Sequence, residues 1–195
     1  MYATTLEGTL QKNNLNFTLN IKDQKSTDKY TLAGLLSIPS SNNYTFSLKP
    51  GNLLLNYDKW NINEGNSIQY INGGIQAHNF VLSQNNQQLS LNSTGTSNNS
   101  PLQLSFKNFK IATLTGFVES DSLLVNGLLN GNAIIKNLQT QPTFTTDLTV
   151  ENLSIYQDTI GNFTAKVNNN VANTYHADLT LRDRGNDVSL SLIHI

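Results

Sequence analysis

Few side chains in this sequence could perform catalytic or metal chemistry, and their spacing does not bring them together. The three histidines, His78, His176 and His194, lie far apart, and none has a second ligand at metal-site spacing. Asn126-Gly127 and Asn130-Gly131 suggest a phosphate-binding loop, but no helical pattern follows them. We therefore interpret these glycines as turn or bulge positions. The carboxylates are scattered, so we predict no enzyme activity, no metal site and no cofactor.

The composition favours strands and excludes a nucleic-acid partner. Of the 195 residues, 37% are hydrophobic and 13% are charged, and both shares are low for a globular protein. Asn, Ser, Thr and Gln take their place, and Asn and Ser are poor helix formers. The net charge of −1 provides no basic footprint for nucleic acid or for an anionic membrane surface. The sequence has no cysteine, which excludes disulfides and thiolate metal sites.

The elements that remain are strands, and the clearest pattern runs from Leu123 to Leu181. Apolar and polar residues alternate there with period two, which predicts strands with one apolar and one polar face. The alternation also covers the chain from Leu6 to Phe106, with polar turns at short intervals. Only segment 111–120 has apolar residues at helical spacing. We predict an all-β protein, an elongated antiparallel U-shaped sheet of many short strands, with one short helical turn near 111–120.

This pattern also predicts the organisation of the chain. We expect a first β-segment over 1–107, a short helix or linker over 108–122, and a second β-segment over 123–189. The last six residues, 190–195, match one translation of a common sequencing-library transposon end. We predict that they are an assembly artefact, and that sequencing the locus without that adaptor will show it. The alternative is a native strand end, since Val188, Leu190 and Leu192 also alternate.

The periodicity leaves open what covers the apolar face. Two sheets could face each other as a closed sandwich whose interior is only core. Alternatively, the sheet could curl into an open trough with an apolar ligand along it. Two features favour the trough. The pattern continues to both ends of the sequence, as in a one-dimensional stack, and the face mixes large residues with small ones that leave room: Gly34, Gly127, Gly131 and Ala177.

The order of small and apolar residues carries a family resemblance that covers nearly the whole chain. In the second half the matching residues are Asn126-Gly127-Leu128-Leu129-Asn130-Gly131-Asn132-Ala133-Ile134, Leu138, Pro142, Phe144, Leu148 and Ile160-Gly161-Asn162. In the first half they are Trp60-Asn61-Ile62, Asn66, Ile68, Gly73-Gly74-Ile75, Asn79-Phe80 and Pro101-Leu102-Gln103-Leu104-Ser105-Phe106. This order resembles the C-terminal repeat region of TamB, the inner-membrane component of the translocation and assembly module, within the AsmA-like group.

The resemblance implies a segment of a longer protein that is anchored in the inner membrane and crosses the periplasm as a β-taco groove. It implies that the groove carries phospholipid acyl chains between the membranes, or assists outer-membrane protein assembly. The implied protein partner is an outer-membrane protein of the TamA/BamA type, bound through the parent chain. We predict that twelve apolar residues line the groove: Leu15, Phe17, Leu19, Phe46, Leu129, Ile135, Phe144, Leu148, Val150, Phe163, Leu179 and Leu181.

A second hypothesis is a β-rich surface module, similar to an adhesin, that binds glycans or proteins. It predicts a dry, closed core and a ligand on the Asn- and Thr-rich face, whereas the groove hypothesis predicts an uncovered apolar face that binds lipid.

Overall fold

The computed structural model describes residues 3–116, 125–156, 158–169, 174–183 and 185–194. Of these residues 73% lie in strands, about three times the share in an ordinary globular protein. Sixteen strands form one open antiparallel sheet, accompanied by one short helix. The prediction of an all-β open sheet with a helical turn near 111–120 is therefore confirmed. None of the described residues form a helix that is long and apolar enough to cross a membrane.

The chain divides into two compact units. The first comprises Met1–Asn85 and Ser90–Leu102, and the second comprises Asn86–Leu89 and Gln103–Ile195. The domain limits given above, at residues 107, 122 and 189, stay predictions.

The elements begin and end as follows. The strands up to residue 93 are β1 (Ala3–Gln11), β2 (Asn14–Lys22), β3 (Asp28–Ser40), β4 (Asn43–Leu48), β5 (Leu53–Leu55), β6 (Asp58–Ile62), β7 (Ser67–Ile71), β8 (Gly74–His78), β9 (Phe80–Gln84) and β10 (Gln87–Ser93). The later elements are β11 (Leu102–Lys110), α1 (Ala112–Thr115), β12 (Val125–Lys136), β13 (Thr143–Ile155), β14 (Asp158–Asn168), β15 (Tyr175–Asp183) and β16 (Asn186–His194).

In the first unit, the long strand β3 has two neighbours along one edge. Its start, Tyr30 and Thr31, pairs with β5, and its later part pairs with β4. The sheet therefore branches at β3, with β4, β7 and β8 in one arm and β5, β6 and β9 in the other. Phe46 on β4 and Phe80 on β9 lie with their ring centroids 6.3 Å apart, so the arms face each other.

The two arms enclose a hydrophobic core. Trp60, the single tryptophan of the chain, is 2% exposed, and Tyr30 is fully buried. The other buried apolar residues of this core are Leu48, Leu53, Leu55, Ile62, Ala77, Phe80 and Leu82. Asn66 is buried beside them, and its side chain bonds both the N–H and the C=O of Leu48. Buried polar groups need such partners, and this one holds the chain between β6 and β7 against β4.

Tight turns connect the strands of each arm. Asn72 and Gly73 join β7 to β8 with φ of 48° and 91°. Positive φ at both central residues is the type I′ geometry that an Asn-Gly pair favours in hairpins.

The second unit is a meander of antiparallel strands in sequence order. β12 to β16 pair each with the next, and β11 lies beside β12. The helix α1 follows β11 and contacts β12, where the Ile111 N–H donates to the Gly127 carbonyl. Buried residues of this unit, Phe109, Ala112 and Thr113, cluster around α1. The later strands have no comparable buried cluster among their described residues.

Candidate functional site: an uncovered apolar face

Strand register brings apolar residues of the second unit together in rows. Residues directly opposite each other in antiparallel strands point their side chains to the same side of the sheet. One row runs across four strands through Leu129, Val150, Phe163 and Leu181. The next row runs through Gly131, Leu148, Ala165 and Leu179. The third runs through Ala133, Thr146, Val167 and Ala177.

We call these three rows, with Ile135, Phe144 and Tyr175 at their end, the β12–β15 face. Ile135 lies opposite Phe144, and the rings of Phe144 and Tyr175 are 6.2 Å apart across the end of β14. Four strands span about 14 Å, and the seven residues from Leu129 to Ile135 span about 20 Å. All eight predicted lining residues of this unit therefore lie on one continuous surface.

The apolar side chains of this face are half-exposed, although most of them lie on strands with a neighbour on both sides. Leu148, Phe163 and Leu179 are all intermediate in burial, whereas Val150 is 8% exposed. A second layer would bury residues at these positions almost completely, as it does in a sandwich. Among the described residues, none therefore form a complete second layer over this face.

The opposite side of the same strands is polar. Thr149, Thr164 and Thr180 form one row, and the hydroxyls of Thr164 and Thr180 are hydrogen-bonded to each other. Beside that row, Lys166 lies between Asp147 and Asp178. Its Nζ is 3.5 Å from an Asp147 carboxylate oxygen, and both side chains are 66% exposed. An ion pair whose two side chains are this exposed stabilises a fold by about 0–1 kcal/mol. The pair therefore adds little rigidity, and the side chains on this side of the sheet are hydrated.

Glycines let the strands of this unit approach closely. Gly127 lies at a register shift between β12 and β13, as the bulge interpretation predicted. Gly131 instead lies in an uninterrupted part of the ladder, with φ of 118°. A Cβ there would be 2.0 Å from the Asp147 carbonyl oxygen, and one at Gly161 would be 2.4 Å from the Arg182 carbonyl oxygen. A larger residue at either position would push the strands apart.

In the first unit, the four predicted lining residues also share one side of the sheet. Leu15, Phe17 and Leu19 alternate on β2, and Leu15 and Phe46 both lie opposite Leu36 of β3. All four are half-buried. The Phe17 ring stacks on Phe46 at 5.9 Å and occupies the space above Gly34, where a Cβ would be 2.6 Å from the ring.

That contact corrects one expectation. Gly34 was expected to leave empty space along the apolar face, but the Phe17 ring fills that space. The Phe46 ring also contacts the Phe80 ring, so Phe46 is connected to the closed core. The open apolar surface of the first unit is therefore the β1–β2 end, where Leu6 and Leu10 are each 70% exposed.

The set of twelve predicted lining residues omits four apolar residues on strands that the sequence pattern had identified correctly. Leu32 lies opposite Leu19, and Ile68 lies opposite Phe46, so both extend the predicted rows. Ala165 and Val167 continue the rows of the second unit. The alternation marks all four as inward residues, but pairing between strands decides which of them share a row.

No group of histidines and carboxylates among the described residues could hold a metal ion. His176 lies on the polar side, opposite Asn168. Among the carboxyl groups of the described residues, that of Asp23 has a lowered pKa. The Thr27 backbone N–H donates to Asp23 and lowers the pKa of that carboxyl, and the Tyr57 hydroxyl and the Lys25 N–H act in the same direction. This group closes the loop between β2 and β3 and lies on no apolar face.

Comparison with known proteins found no matching family model, no matching curated protein and no matching solved structure.

Proposed function

We propose that this chain is part of a hydrophobic conduit for phospholipid acyl chains, of the kind that the resemblance to TamB-like proteins implies. The observation that supports it is the β12–β15 face, which presents half-exposed aliphatic and aromatic side chains in register across four strands. Under this proposal the parent protein is anchored in the inner membrane and crosses the periplasm. Its partner is an outer-membrane protein of the TamA/BamA type, bound through the parent chain, and assistance with outer-membrane protein assembly is the linked role.

The size of the face suits an acyl chain. Its length of about 20 Å and width of about 14 Å accommodate one or two extended hydrocarbon chains side by side. The polar side of the same strands stays in water, because its Thr, Asn, Asp and Lys residues are solvated. A sheet with one apolar and one polar side needs an apolar ligand or a second layer over its apolar side only.

The energetics favour exchange over tight binding. Burial of one CH₂ group is worth about 0.8 kcal/mol, so a sixteen-carbon chain gains roughly 12 kcal/mol when fully removed from water. A bilayer offers about the same gain. An open face covers only part of the chain surface, so the protein competes with a membrane without trapping the lipid. This balance suits a bridge between two membranes better than a storage pocket.

The chemistry of the face also fits acyl chains better than sugars or peptides. Its central row contains Gly131, Leu148, Ala165 and Leu179, which offer no side-chain hydrogen-bonding group. The nearby backbone groups are paired in the ladder, and the Thr146 hydroxyl of the next row is hydrogen-bonded to the backbone of Val167. A glycan or a polar peptide would therefore lose its hydrogen bonds to water on this surface.

Aspartate substitutions test the proposal. Leu148→Asp and Leu179→Asp each place a charge in the central row, and half-exposed positions tolerate it without unfolding. We expect both variants to lose binding of an acyl-labelled fluorescent phosphatidylethanolamine, and to lose co-purified phospholipid in solvent extracts analysed by mass spectrometry. In the parent protein the same changes should block lipid transfer between vesicles.

Matched controls lie on the other side of the same strands. Thr149→Asp and Thr180→Asp add the same charge to β13 and β15 but face the polar side, so lipid binding should persist. Circular dichroism should show that all four variants are folded. Normal lipid binding by folded Leu148→Asp and Leu179→Asp would contradict the proposal.

A second candidate function rests on the first unit. Its closed core around Trp60, Phe80 and Leu82 supports the surface-module hypothesis. On that hypothesis the ligand is a glycan or a protein bound to the Asn- and Thr-rich side. Purified chain without phospholipid, but with glycan binding that is sensitive to Thr18→Asp on the polar side of β2, would favour it.

A further inference from the structure

A long loop lies beside the β7–β8 hairpin in the first unit. It comprises residues 94–101 between β10 and β11, whereas a two-residue turn joins β7 to β8. Its ends meet, since the Thr94 N–H donates to the Pro101 carbonyl at 2.9 Å. Within it the Ser97 N–H donates to the hydroxyl of Ser100, which is buried. A compact loop of about 6–16 residues whose ends adjoin is an Ω-loop, a form that frequently carries function.

Specific contacts hold the 94–101 loop against β8. The side-chain amide of Gln76 donates to the Thr96 carbonyl. The Asn98 backbone lies so close to β8 that a Cβ at Gly74 would be 2.3 Å from its carbonyl oxygen. The loop therefore has a defined position on the hairpin, and the space between them has a defined shape.

A cavity of about 270 Å³ lies between this loop and the hairpin. Ser67 of β7 lies opposite His78 of β8, and Gln69 lies opposite Gln76, so these four residues share one side of the sheet. They line the cavity from the hairpin. The residues that line it from the other strand and the loop are Ser93, Gly95 and Thr96, with Ala77 between them and the hairpin.

The lining is polar, and the described residues that form it include no Lys, Arg, Asp or Glu. Hydroxyl, amide and imidazole groups can each donate and accept hydrogen bonds. Among the described residues, none is hydrogen-bonded to the side chains of Ser67, Gln69 or His78, so these groups are available to a ligand. The Ser93 hydroxyl accepts from the Ala77 N–H at 3.0 Å and keeps its own proton to donate.

We propose that this cavity binds one hexose ring of a sugar. Each hexose hydroxyl is both a donor and an acceptor, as are the hydroxyl and amide groups of the lining. The cavity has the volume of roughly nine water molecules in the liquid, which is room for one such ring but not for a phospholipid. An acyl chain would leave the polar lining without hydrogen-bond partners.

The proposal does not rest on the conduit proposal. It gives the surface-module hypothesis one site and one class of ligand. Among the described residues that line the cavity there is no Trp, Tyr or Phe, so the sugar ring gains no stacking contact. Affinity then depends on hydrogen bonds, each of which adds only a modest net gain over water. We therefore expect dissociation constants in the millimolar range.

NMR of the isotope-labelled chain detects binding of this strength. We expect at least one of glucose, galactose, mannose and N-acetylglucosamine to shift the backbone amides of Gln69, Gln76 and Thr96 in a saturable way. Glycerol at the same concentrations is the control for non-specific contact with hydroxyls. Each sugar is added free and as its methyl glycoside. A glycoside that binds identifies the end of a glycan as the ligand, and binding of the free form alone identifies a free sugar.

Substitutions in the cavity test which groups hold the sugar. Gln69→Leu removes both hydrogen-bonding groups of the amide with little change in size, and should weaken the apparent affinity roughly tenfold. Ser67→Ala is the milder second variant and should weaken it about threefold. Gln88→Leu makes the same change at an exposed position of β10 outside the cavity, and should leave the affinity unchanged. Trp60 fluorescence should show that all three variants are folded.

Each outcome decides the proposal. Saturable shifts at the cavity that weaken in Gln69→Leu or Ser67→Ala, but not in Gln88→Leu, would support it. No shift with any of the four sugars, equal shifts with glycerol, or equal weakening by Gln88→Leu would overturn it. Sugar binding that Thr18→Asp abolishes and Gln69→Leu leaves intact would also overturn it, while favouring the surface-module hypothesis at another site. None of these results depends on lipid binding, so the conduit proposal keeps its own test.

Discussion

At the scale of single residues, glycines and asparagines with positive φ shape this chain. Gly131 and Gly161 allow backbone approaches that a Cβ would prevent. Most of the non-glycine residues with positive φ are asparagines, such as Asn42, Asn72 and Asn85 at strand ends. Asparagine tolerates this conformation better than other non-glycine residues. The high asparagine content of the sequence therefore has a local structural role at the turns.

Gly131→Ala should destabilise the chain by at least about 3 kcal/mol, because strained φ adds to a backbone collision with Asp147. Gly51→Ala is the matched variant. Gly51 also has positive φ, at 98°, but nothing lies within 4 Å of its Cβ position. It should cost only about 1–2 kcal/mol. Urea unfolding of both variants measures the difference, and equal losses would contradict the role of strand approach at Gly131.

Asp23 makes the loop between β2 and β3 sensitive to acid. Its hydrogen bond from the Thr27 N–H, followed by those from Tyr57 and Lys25, lowers its pKa from the ordinary 3.8. A lowered folded-state pKa means that the stabilisation is present above the unfolded pKa and is lost as the pH falls through the folded value.

We therefore expect hydrogen exchange of the Thr27 and Lys25 amides, corrected for intrinsic rates, to accelerate below about pH 4. Asp23→Asn should remove this pH dependence, because an amide does not titrate in that range. Amide protection in the wild-type chain that is constant down to pH 2 would contradict the assignment.

At the scale of elements, the same period-two strands produce two kinds of surface. In the first unit β3 branches, and its two arms enclose a core around Trp60 and Ile62. In the second unit β12 to β15 follow one another without branching, and most apolar side chains of their described residues are only partly buried. The difference arises from pairing along β3, because two neighbours on one edge bring a second layer over the first.

This difference in burial predicts that truncation of two similar side chains will lower the free energy of unfolding by different amounts. Ile62→Ala removes a side chain that is 4% exposed and should cost about 2–5 kcal/mol, because it leaves a cavity. Leu181→Ala removes a half-exposed side chain and should cost roughly 1 kcal/mol, since water can fill the space. Chemical unfolding measures both, with Trp60 fluorescence reporting the first unit. A cost for Leu181→Ala as large as that for Ile62→Ala would show that the β12–β15 face is covered.

At the scale of the whole molecule, the second half of the last strand coincides with the suspected artefact at 190–195. β16 pairs with β15, and Leu190 and Leu192 lie on the apolar side at 48% and 50% exposure. The rows of the β12–β15 face are complete without them. The functional proposal therefore rests on residues that precede Asn186.

A chain that ends at Ser189 should retain binding of the fluorescent phosphatidylethanolamine. The reason is that all eight predicted lining residues of the second unit, from Leu129 to Leu181, remain in place. Fluorescence titration of the truncated and full chains measures this directly. Loss of binding in a truncated chain with unchanged circular dichroism would show that β16 belongs to the site.

The sequence by itself determined the element type, the faces and several of the turns. Period-two alternation identified the strands, and Asn72-Gly73 indicated its hairpin. Alternation also placed the predicted lining residues on the apolar side of their strands. These features are local, because side-chain direction along a strand and turn geometry depend on neighbouring residues.

Only the tertiary structure decided which apolar residues are covered. Trp60 and Leu148 both lie on apolar faces in the sequence pattern, yet the first is buried and the second is half-exposed. The outcome depends on the pairing of β3 with both β4 and β5, which joins residues distant in sequence. Alternation gives the direction of a side chain but not the element opposite it, because coverage is set by long-range strand pairing.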